Sequence, residues 1–199
     1  MTAQNVIEMR KVTKIFGEFV ANDQIDLQVR KGEIHALLGE NGAGKSTLMN
    51  MLSGLLEPTS GEILVNGELE KIDSPSKASK LGIGMVHQHF MLVDAFTVTE
   101  NIILGNETVH GGKLDIKKAE KEILELSQKY GLEVKPDALV RDINVGQQQR
   151  VEILKTLYRG ADILIFDEPT AVLRPAEILD LLDIMRNLDN EGKSIILIT

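Results

Sequence analysis

Short runs of hydrophobic residues alternate along the chain with longer segments in which apolar side chains recur every three or four positions. Continuous short runs are typical of strands buried in a parallel sheet, whereas the longer spacing is typical of amphipathic helices. The pattern predicts buried strands over residues 34–38, 83–86, 163–166 and 194–199. It predicts helices over residues 46–55, 115–130, 147–158 and 176–188.

Other patterns predict antiparallel strands near the start of the chain. Alternating apolar residues indicate strands at 6–16 and 24–29. Residues 61–69 contain Asn66-Gly67, a typical two-residue hairpin turn. We therefore expect an antiparallel β subdomain beside the parallel sheet.

The order of these elements predicts the fold class and the domain organisation. Strands that alternate with helices are typical of an α/β fold with a parallel sheet at its core. We place this core in residues 1–88 and 160–199 and an inserted helical subdomain in residues 89–159.

Composition narrows the classes of function. The 199 residues carry a net charge of −8, which disfavours a protein that grips nucleic acid through many phosphate contacts. The absence of cysteine excludes disulfides and thiolate metal sites. The start of the chain lacks the features of a signal peptide, and no apolar run approaches the roughly 20 residues needed to span a bilayer. Any role in transport would therefore need separate membrane subunits.

A glycine-rich loop follows the predicted strand at 34–38 and matches the G-x-x-x-x-G-K-[ST] pattern. Glycines let backbone N–H groups curl round phosphate oxygens, and the following helix points its positive end at them. An ordinary glycine-rich turn is the alternative interpretation. We expect Lys45 to reach the β and γ phosphates of ATP and Ser46 to bind Mg²⁺. The residues expected to contact the nucleotide here are Gly39, Asn41, Gly42, Ala43, Gly44, Lys45, Ser46 and Thr47.

Two carboxylates, Asp167 and Glu168, follow the predicted strand at 163–166. A parallel strand delivers such residues at its carboxyl end, where ligands bind in open α/β sheets. Buried strands often end in acids without any function, so the pair gains meaning from the phosphate loop. We expect Asp167 to hold Mg²⁺ through its water shell, and Glu168 to orient and polarise the attacking water as a general base.

Together these motifs resemble the ABC ATPase family, and the discriminating segment is Asn-Val-Gly-Gln-Gln-Gln-Arg at 144–150. It is similar to the family signature Leu-Ser-x-Gly-Gln, although Ile143 and Asn144 replace the usual leucine and serine. The resemblance implies a RecA-like phosphate-loop fold. It also implies that Asn144, Gly146 and Gln147 contact the γ-phosphate of ATP bound to a second ATPase domain. The alternative for Asn144 is a helix N-cap, and the two roles are compatible.

The resemblance extends to single residues elsewhere. Gln88 looks like the glutamine that senses Mg²⁺ and the membrane subunit, and we count it among the catalytic and the metal-binding residues. Phe16 is similar to the aromatic that stacks on adenine, with Phe19 as a rival and a core position as the alternative. Arg174 stands at the end of the loop by which two ATPase sites sense each other, where most members have aspartate.

The segments at 86–92, 146–161 and 170–173 look like importer ATPases for sugars and nucleosides. That resemblance implies permease subunits and, indirectly, a solute-binding protein as partners, at the cytoplasmic face of the membrane. We expect contact with the permease near Gln88 and residues 90–101, where Phe90, Met91, Leu92 and Phe96 form an apolar face or plain core. The family histidine beyond the last strand would follow Thr199, and none of His35, His87, His89 or His110 takes its place. We therefore expect a fragment, most of the first of two ATPase domains, that binds nucleotide but hydrolyses it poorly.

Three rival functions stay open on the sequence alone. A soluble ABC ATPase acting on ribosomes or DNA is disfavoured by the acidic balance and the lack of basic runs. A phosphate-loop kinase of small molecules is disfavoured by the signature segment. A regulatory nucleotide-binding module without turnover gains weight from Asn144, Arg174 and the missing histidine.

Overall fold

The computed structural model describes residues 4–107, 109–110 and 113–199 of the chain. Ten strands are described: β1 Asn5–Phe16, β2 Phe19–Arg30, β3 Ile34–Leu37, β4 Ser60–Val65, β5 Glu68–Leu69, β6 Ile83–Val86, β7 Val109–His110, β8 Lys113–Leu114, β9 Ile163–Asp167 and β10 Ser194–Ile198. The α-helices are α1 Lys45–Leu52, α2 Pro75–Lys80, α3 Val98–Ile103, α4 Ile116–Tyr130, α5 Val145–Tyr158 and α6 Pro175–Asn190, with a short 3₁₀ helix at Val140–Asp142.

An antiparallel sheet in the order β2-β1-β4-β5 forms one layer. The predicted hairpin is confirmed, because β4 and β5 pair through Leu64 with Leu69 and Val65 with Glu68. Its two turn residues have positive φ angles, 53° at Asn66 and 87° at Gly67. This is the left-handed conformation that a two-residue hairpin turn requires, and asparagine and glycine adopt it most readily.

A parallel sheet in the order β3-β10-β9-β6 forms the second layer, as the sequence predicts. The prediction of a strand within residues 34–38 is confirmed, but the prediction that this strand is buried is wrong. Strand β3 lies at the edge of this sheet and pairs with β10; Ile34 is 41% exposed, and Leu38, which follows the strand, is 71% exposed. A continuous apolar run shows that a segment favours a strand, but it does not show which place that strand takes in the sheet.

Most helices lie where the pattern predicts them, with shifted ends. Helix α1 stops at Leu52, and Gly54 follows with a φ of 76°; α5 begins two residues earlier than predicted, directly after its cap Asn144. Helices α2 and α3 have six residues each, and periodicity does not predict them. Six residues are less than two turns, so they show too little periodicity, and local caps define them instead.

Successive residues of strand β9 face two different hydrophobic cores. Ile163 and Ile165 pack with α1 and the antiparallel sheet, whereas Leu164 and Phe166 pack with α3, α4, α5 and α6. Because alternate side chains of a strand point to opposite faces, one buried strand ties both cores together. Packing on both faces of β9 therefore fixes the position of Asp167 at its end.

The helices α3, α4 and α5 fall within residues 89–159, the segment that we assign to a helical subdomain. Their buried side chains share one core with α6 and with the strands β9 and β10. The subdomain limits stay a prediction. Within the described residues, no helix combines the length and the apolar character needed to cross a membrane.

Candidate functional site

The phosphate loop lines a cavity of about 360 Å³ in front of helix α1. Phe19 and Ala21 from strand β2 close one side, and Glu168, directly after strand β9, reaches it from the parallel sheet. The remaining lining is the loop itself and the start of the helix: Asn41, Gly42, Ala43, Gly44, Lys45, Ser46 and Thr47. The predicted nucleotide-binding residues from 41 to 47 therefore face one cavity, and Gly39 lies at the base of the loop.

Two glycines of the loop have conformations that other residues rarely adopt. Gly42 has a φ of 84° and Gly44 a φ of 86°. A Cβ atom at Gly44 would lie 2.5 Å from the carbonyl oxygen of Ala21 and 2.7 Å from Nδ2 of Asn22. Gly44 is therefore required by both its backbone angle and its neighbours, whereas Gly42 is required by its backbone angle alone.

Lys45 and Ser46 begin helix α1, where the partial positive charge of the helix favours an anion. The ammonium group of Lys45 donates to the carbonyl oxygens of Gly39 and Glu40, so it lies across the mouth of the loop. The hydroxyl of Ser46 donates to Oδ1 of Asp167 over 3.3 Å. The structure thus brings together two residues that are 121 positions apart and that the sequence predicts to hold Mg²⁺, Ser46 directly and Asp167 through water.

The surroundings of Asp167 shift its titration. Burial raises the pKa of this carboxyl above its ordinary value, and the hydrogen bond from Ser46 partly opposes that shift. The neighbouring Glu168 raises the pKa further, whereas His87 and Lys45 lower it. A carboxylate that is partly desolvated gains most from a cation placed against it.

Glu168 and Gln88 meet at the carboxyl ends of β9 and β6. Nε2 of Gln88 donates to Oε2 of Glu168 over 3.2 Å. The backbone of Glu168 has a φ of 44°, and its N–H donates to the carbonyl oxygen of Ile198 over 3.1 Å. Such a left-handed conformation is costly for glutamate and is held here by the neighbouring strand β10. The side chain is thereby fixed in the phosphate-loop cavity.

The donor set suits a hard divalent cation. A hydroxyl and a carboxylate, from Ser46 and Asp167, are oxygen ligands of the kind that Mg²⁺ prefers, and Mg²⁺ usually keeps several waters beside one or two such ligands. Gln88 presents its amide nitrogen to Glu168. Its amide oxygen is the atom that would serve a cation. Its role as a metal ligand stays a prediction.

The signature segment lies apart from the phosphate loop. Asn144, Gly146 and Gln147 line a different cavity of about 170 Å³, between α5 and α6. The side chain of Asn144 accepts from the N–H of Gln147 over 2.9 Å, and the side chain of Gln147 accepts from the N–H of Asn144 over 3.1 Å. The N-cap interpretation of Asn144 is therefore confirmed. A Cβ at Gly146 would come within 3.0 Å of a carboxylate oxygen of Glu177.

The two aromatic candidates for base stacking differ in position. Phe16 ends strand β1 and is 45% exposed, with the ammonium of Lys14 5.1 Å from its ring centre. The alternative that Phe16 is a core residue is therefore wrong. Phe19, its partner across the hairpin, is 65% exposed and lines the phosphate-loop cavity. The assignment of Phe16 to the base stays a prediction, and Phe19 has the contact with the cavity.

Sequence reasoning missed two buried polar residues that support the site. Asn22 donates from Nδ2 to the carbonyl oxygen of Gly44 over 3.2 Å. Gln149, 3% exposed on helix α5, donates to the carbonyl oxygen of Pro169 over 2.9 Å, next to Glu168. The available signal was a polar residue on the buried face of an otherwise apolar pattern, because such residues need hydrogen-bond partners.

Comparison with known proteins adds a family. The model of the family described as "ABC transporter" matches residues 22–171. The chain is 76% identical over 199 residues to the nucleoside import ATP-binding protein NupA of Lactococcus lactis subsp. cremoris, covering 100% of this chain and 39% of that protein. It is 67% identical over 191 residues to the guanosine import ATP-binding protein NupO of Bacillus subtilis, covering 96% of this chain and 38% of that protein.

A solved structure supports the same relationship. The dimeric, post-hydrolysis state of an ATP-binding cassette bound to ADP and phosphate superposes with a TM-score of 0.79 at 27% identity, over 97% of this chain and 87% of that one. The chain spans about two fifths of the length of the two import proteins.

Proposed function

Because the chain belongs to the ABC transporter family, we propose that its phosphate-loop cavity binds Mg²⁺-ATP and hydrolyses it to drive solute import. The observation that carries this proposal is that three chain segments meet through side-chain hydrogen bonds beside the phosphate-loop cavity, which Ser46 and Glu168 line. The Ser46–Asp167 and Gln88–Glu168 hydrogen bonds join the start of α1, the end of β9 and the end of β6. The first bond joins two residues expected to hold Mg²⁺, and the second joins the expected general base to the glutamine beside it.

Each residue then has a physical role in the reaction. The N–H groups of the loop and the ammonium of Lys45 hold the β and γ phosphates, in place of the carbonyls that Lys45 contacts. Ser46 and Asp167 hold Mg²⁺, which neutralises charge on the phosphate oxygens when bound. Glu168, fixed by its backbone and by Gln88, orients the attacking water and accepts its proton.

A second ATPase domain completes the site under this proposal. Asn144, Gly146 and Gln147 line their own cavity, so within one chain they do not reach the phosphate-loop cavity that Lys45 lines. A helix N-terminus with a glycine suits a γ-phosphate delivered by another domain. The dimeric state of the solved relative supports this arrangement.

The names of the curated relatives support nucleosides as the solute. We propose that the protein works at the cytoplasmic face of the membrane, bound to permease subunits and supplied by a solute-binding protein, and not to nucleic acid. Met91 and Phe96 are 67% and 37% exposed, and they give residues 90–101 an apolar contact surface for a permease. Leu92 packs partly against the core, so it contributes less to this apolar surface than Met91 does.

The test uses the full-length protein assembled with its permease in liposomes. We expect Ser46→Ala to reduce Mg²⁺-dependent ATP hydrolysis and nucleoside uptake together, by about tenfold or more, because the hydroxyl expected to bind the cation is removed. Ser76→Ala, on an exposed position of helix α2, is the matched control and should change neither rate. Uptake that continues at the normal rate in the Ser46 variant would refute the proposal.

A further inference from the structure

The segment that carries Gln88 is held by side chains rather than by secondary structure. Residues 87–93 lie between strand β6 and helix α3, outside any helix or strand. At one end, the amide of Gln88 donates to Glu168 at the end of β9. What fixes the rest of this segment therefore also decides where the Gln88 amide lies relative to Glu168.

Helix α5 holds the peptide groups on both sides of Met91 with a largely buried ion pair, formed by Glu152 and Lys155. Oε1 of Glu152 accepts from the N–H of Met91 over 2.7 Å, and Nζ of Lys155 donates to the carbonyl oxygen of Met91 over 2.9 Å. The two side chains are 6% and 14% exposed and lie 3.7 Å from each other. The backbone of Met91 is thus gripped from both sides by charged groups, and hydrogen bonds to charged groups are stronger than neutral ones.

A second pair of hydrogen bonds holds the backbone two residues further along, at Val93. Asn101 of helix α3, 1% exposed, accepts from the N–H of Val93 over 2.7 Å and donates to its carbonyl oxygen over 3.0 Å. Helices α3 and α5 pack on each other in one core. The segment is therefore attached to two helices at Met91 and Val93, and to the parallel sheet through Gln88.

The hydrogen bonds of Glu152 and Lys155 to Met91 connect the pair to the segment that carries Gln88. A buried ion pair is weak evidence for stability, because removing both charges from water is costly. The side chain of Lys155 is only 14% exposed, and this burial lowers the pKa of its ammonium, with Glu152 opposing that shift. Both side chains also line a cavity of about 210 Å³ together with Met91 and His87.

We propose that Glu152 and Lys155 are positioning residues for ATP hydrolysis, which fix Gln88 against Glu168 by clamping the peptide groups of Met91. This inference rests on the proposed function, because it assigns the two residues a role in the same reaction. Helix α5 begins with the signature segment. The hydrogen bonds of Glu152 and Lys155 to Met91, which we call the clamp, therefore connect this helix to the segment that carries Gln88. If the helix moves, that segment should move with it.

The first test measures the clamp itself, without turnover. In the full-length protein, the double variant Glu152→Met/Lys155→Met removes both charged groups, so neither is left buried without its counter-charge, and it frees the N–H and the carbonyl oxygen of Met91. We expect hydrogen exchange in peptides covering residues 88–93 to become about tenfold faster, because the Met91 N–H loses its acceptor. The matched control is Lys121→Met/Glu125→Met, an exposed ion pair on helix α4, which should leave exchange in residues 88–93 unchanged. Unchanged exchange in the Glu152/Lys155 variant would overturn the inference.

The second test measures the consequence for catalysis. We expect the same double variant to lower kcat for ATP about tenfold and to leave KM within about twofold, since Lys45 and the loop still bind the nucleotide. In a Gln88→Ala background the double substitution should change kcat less than about twofold, because its effect passes through Gln88. An equal loss in both backgrounds, as a general loss of structure would produce, contradicts the inference. Absence of turnover in the unmodified protein would instead overturn the proposed function, and the exchange measurement would still decide the clamp.

Discussion

Three glycines of the phosphate loop allow a direct test of why the loop needs glycine. Alanine at Gly39 meets side chains at ordinary distances of 3.6 Å or more, and no positive φ applies there. Alanine at Gly42 meets nothing within 4 Å but must adopt a φ of 84°. Alanine at Gly44 must adopt a φ of 86° and also overlaps the carbonyl oxygen of Ala21 at 2.5 Å. The series separates the backbone angle from the overlap.

The magnitudes follow from these two contributions. A non-glycine residue in the left-handed region loses about 1–2 kcal/mol. Replacing glycine by alanine restores about 0.4–1 kcal/mol, because the unfolded chain becomes less flexible. Gly42→Ala should therefore lower the free energy of unfolding by about 1 kcal/mol. The overlap at Gly44 forces the backbone to shift, which adds about 1–3 kcal/mol and brings the loss at that position to about 2–4 kcal/mol.

The assay is urea unfolding of the three variants and the parent protein, monitored by far-UV circular dichroism, which gives a free energy of unfolding for each. Gly39→Ala should raise the free energy of unfolding by about 0.4–1 kcal/mol, because only the effect on the unfolded chain applies there. The stability of the variants should therefore increase in the order Gly44→Ala, Gly42→Ala, Gly39→Ala. Equal losses for Gly44→Ala and Gly42→Ala would refute the reasoning, since the close approach of Ala21 would then have no energetic consequence.

Three further predictions concern the end of strand β9 and its supports. Glu168→Gln should lower kcat for ATP about 100-fold or more and leave ATP affinity within about threefold, because only the proton acceptor is lost; near-normal steady-state turnover would exclude Glu168 as the base. Asp167→Asn should raise the free energy of unfolding at pH 7, because burial raises the folded-state pKa of this carboxyl, so its ionised form is disfavoured on folding. That gain should shrink as the pH falls through the raised pKa, where the parent protein also becomes neutral, and a gain independent of pH in urea titrations would contradict burial of the ionised carboxylate as its cause. Gln149→Leu should lower the free energy of unfolding by about 1–3 kcal/mol, because the carbonyl of Pro169 loses its donor, and a neutral change would show that this carbonyl finds water instead.

The structure brings together the residues that the sequence places at the centre of the site, because local patterns define their positions. A glycine-rich loop between a strand and a helix, and two acids at a strand end, each need only a few consecutive residues. The rule that parallel strands deliver ligands at one edge then brings Ser46 to Asp167 across 121 positions. The hairpin turn at Asn66-Gly67 is predicted for the same reason, because the turn chemistry is local.

The parts that could not be predicted depend on distant partners. The exposure of Ile34 is set by the position of β3 at a sheet edge, which its own apolar run does not encode. Asn22, Gln149 and the pair of Glu152 and Lys155 bond to backbone groups 20 to 64 residues away. A lone polar residue on a buried face shows that some partner must exist, but only the packed structure identifies it.

If a second ATPase domain completes the site as proposed, the reciprocal cap at the start of helix α5 affects how tightly this segment can bind the γ-phosphate of the other domain's nucleotide. The N–H of Gln147 already donates to Asn144, and the N–H of Asn144 already donates to Gln147. An incoming triphosphate must either displace these bonds, at a loss of about 1 kcal/mol, or use the amide of Gly146 and the hydrogens of the Asn144 carboxamide. Displacing these bonds would weaken the binding of the γ-phosphate about fivefold. The two domains would then separate more readily than they would with an uncapped helix.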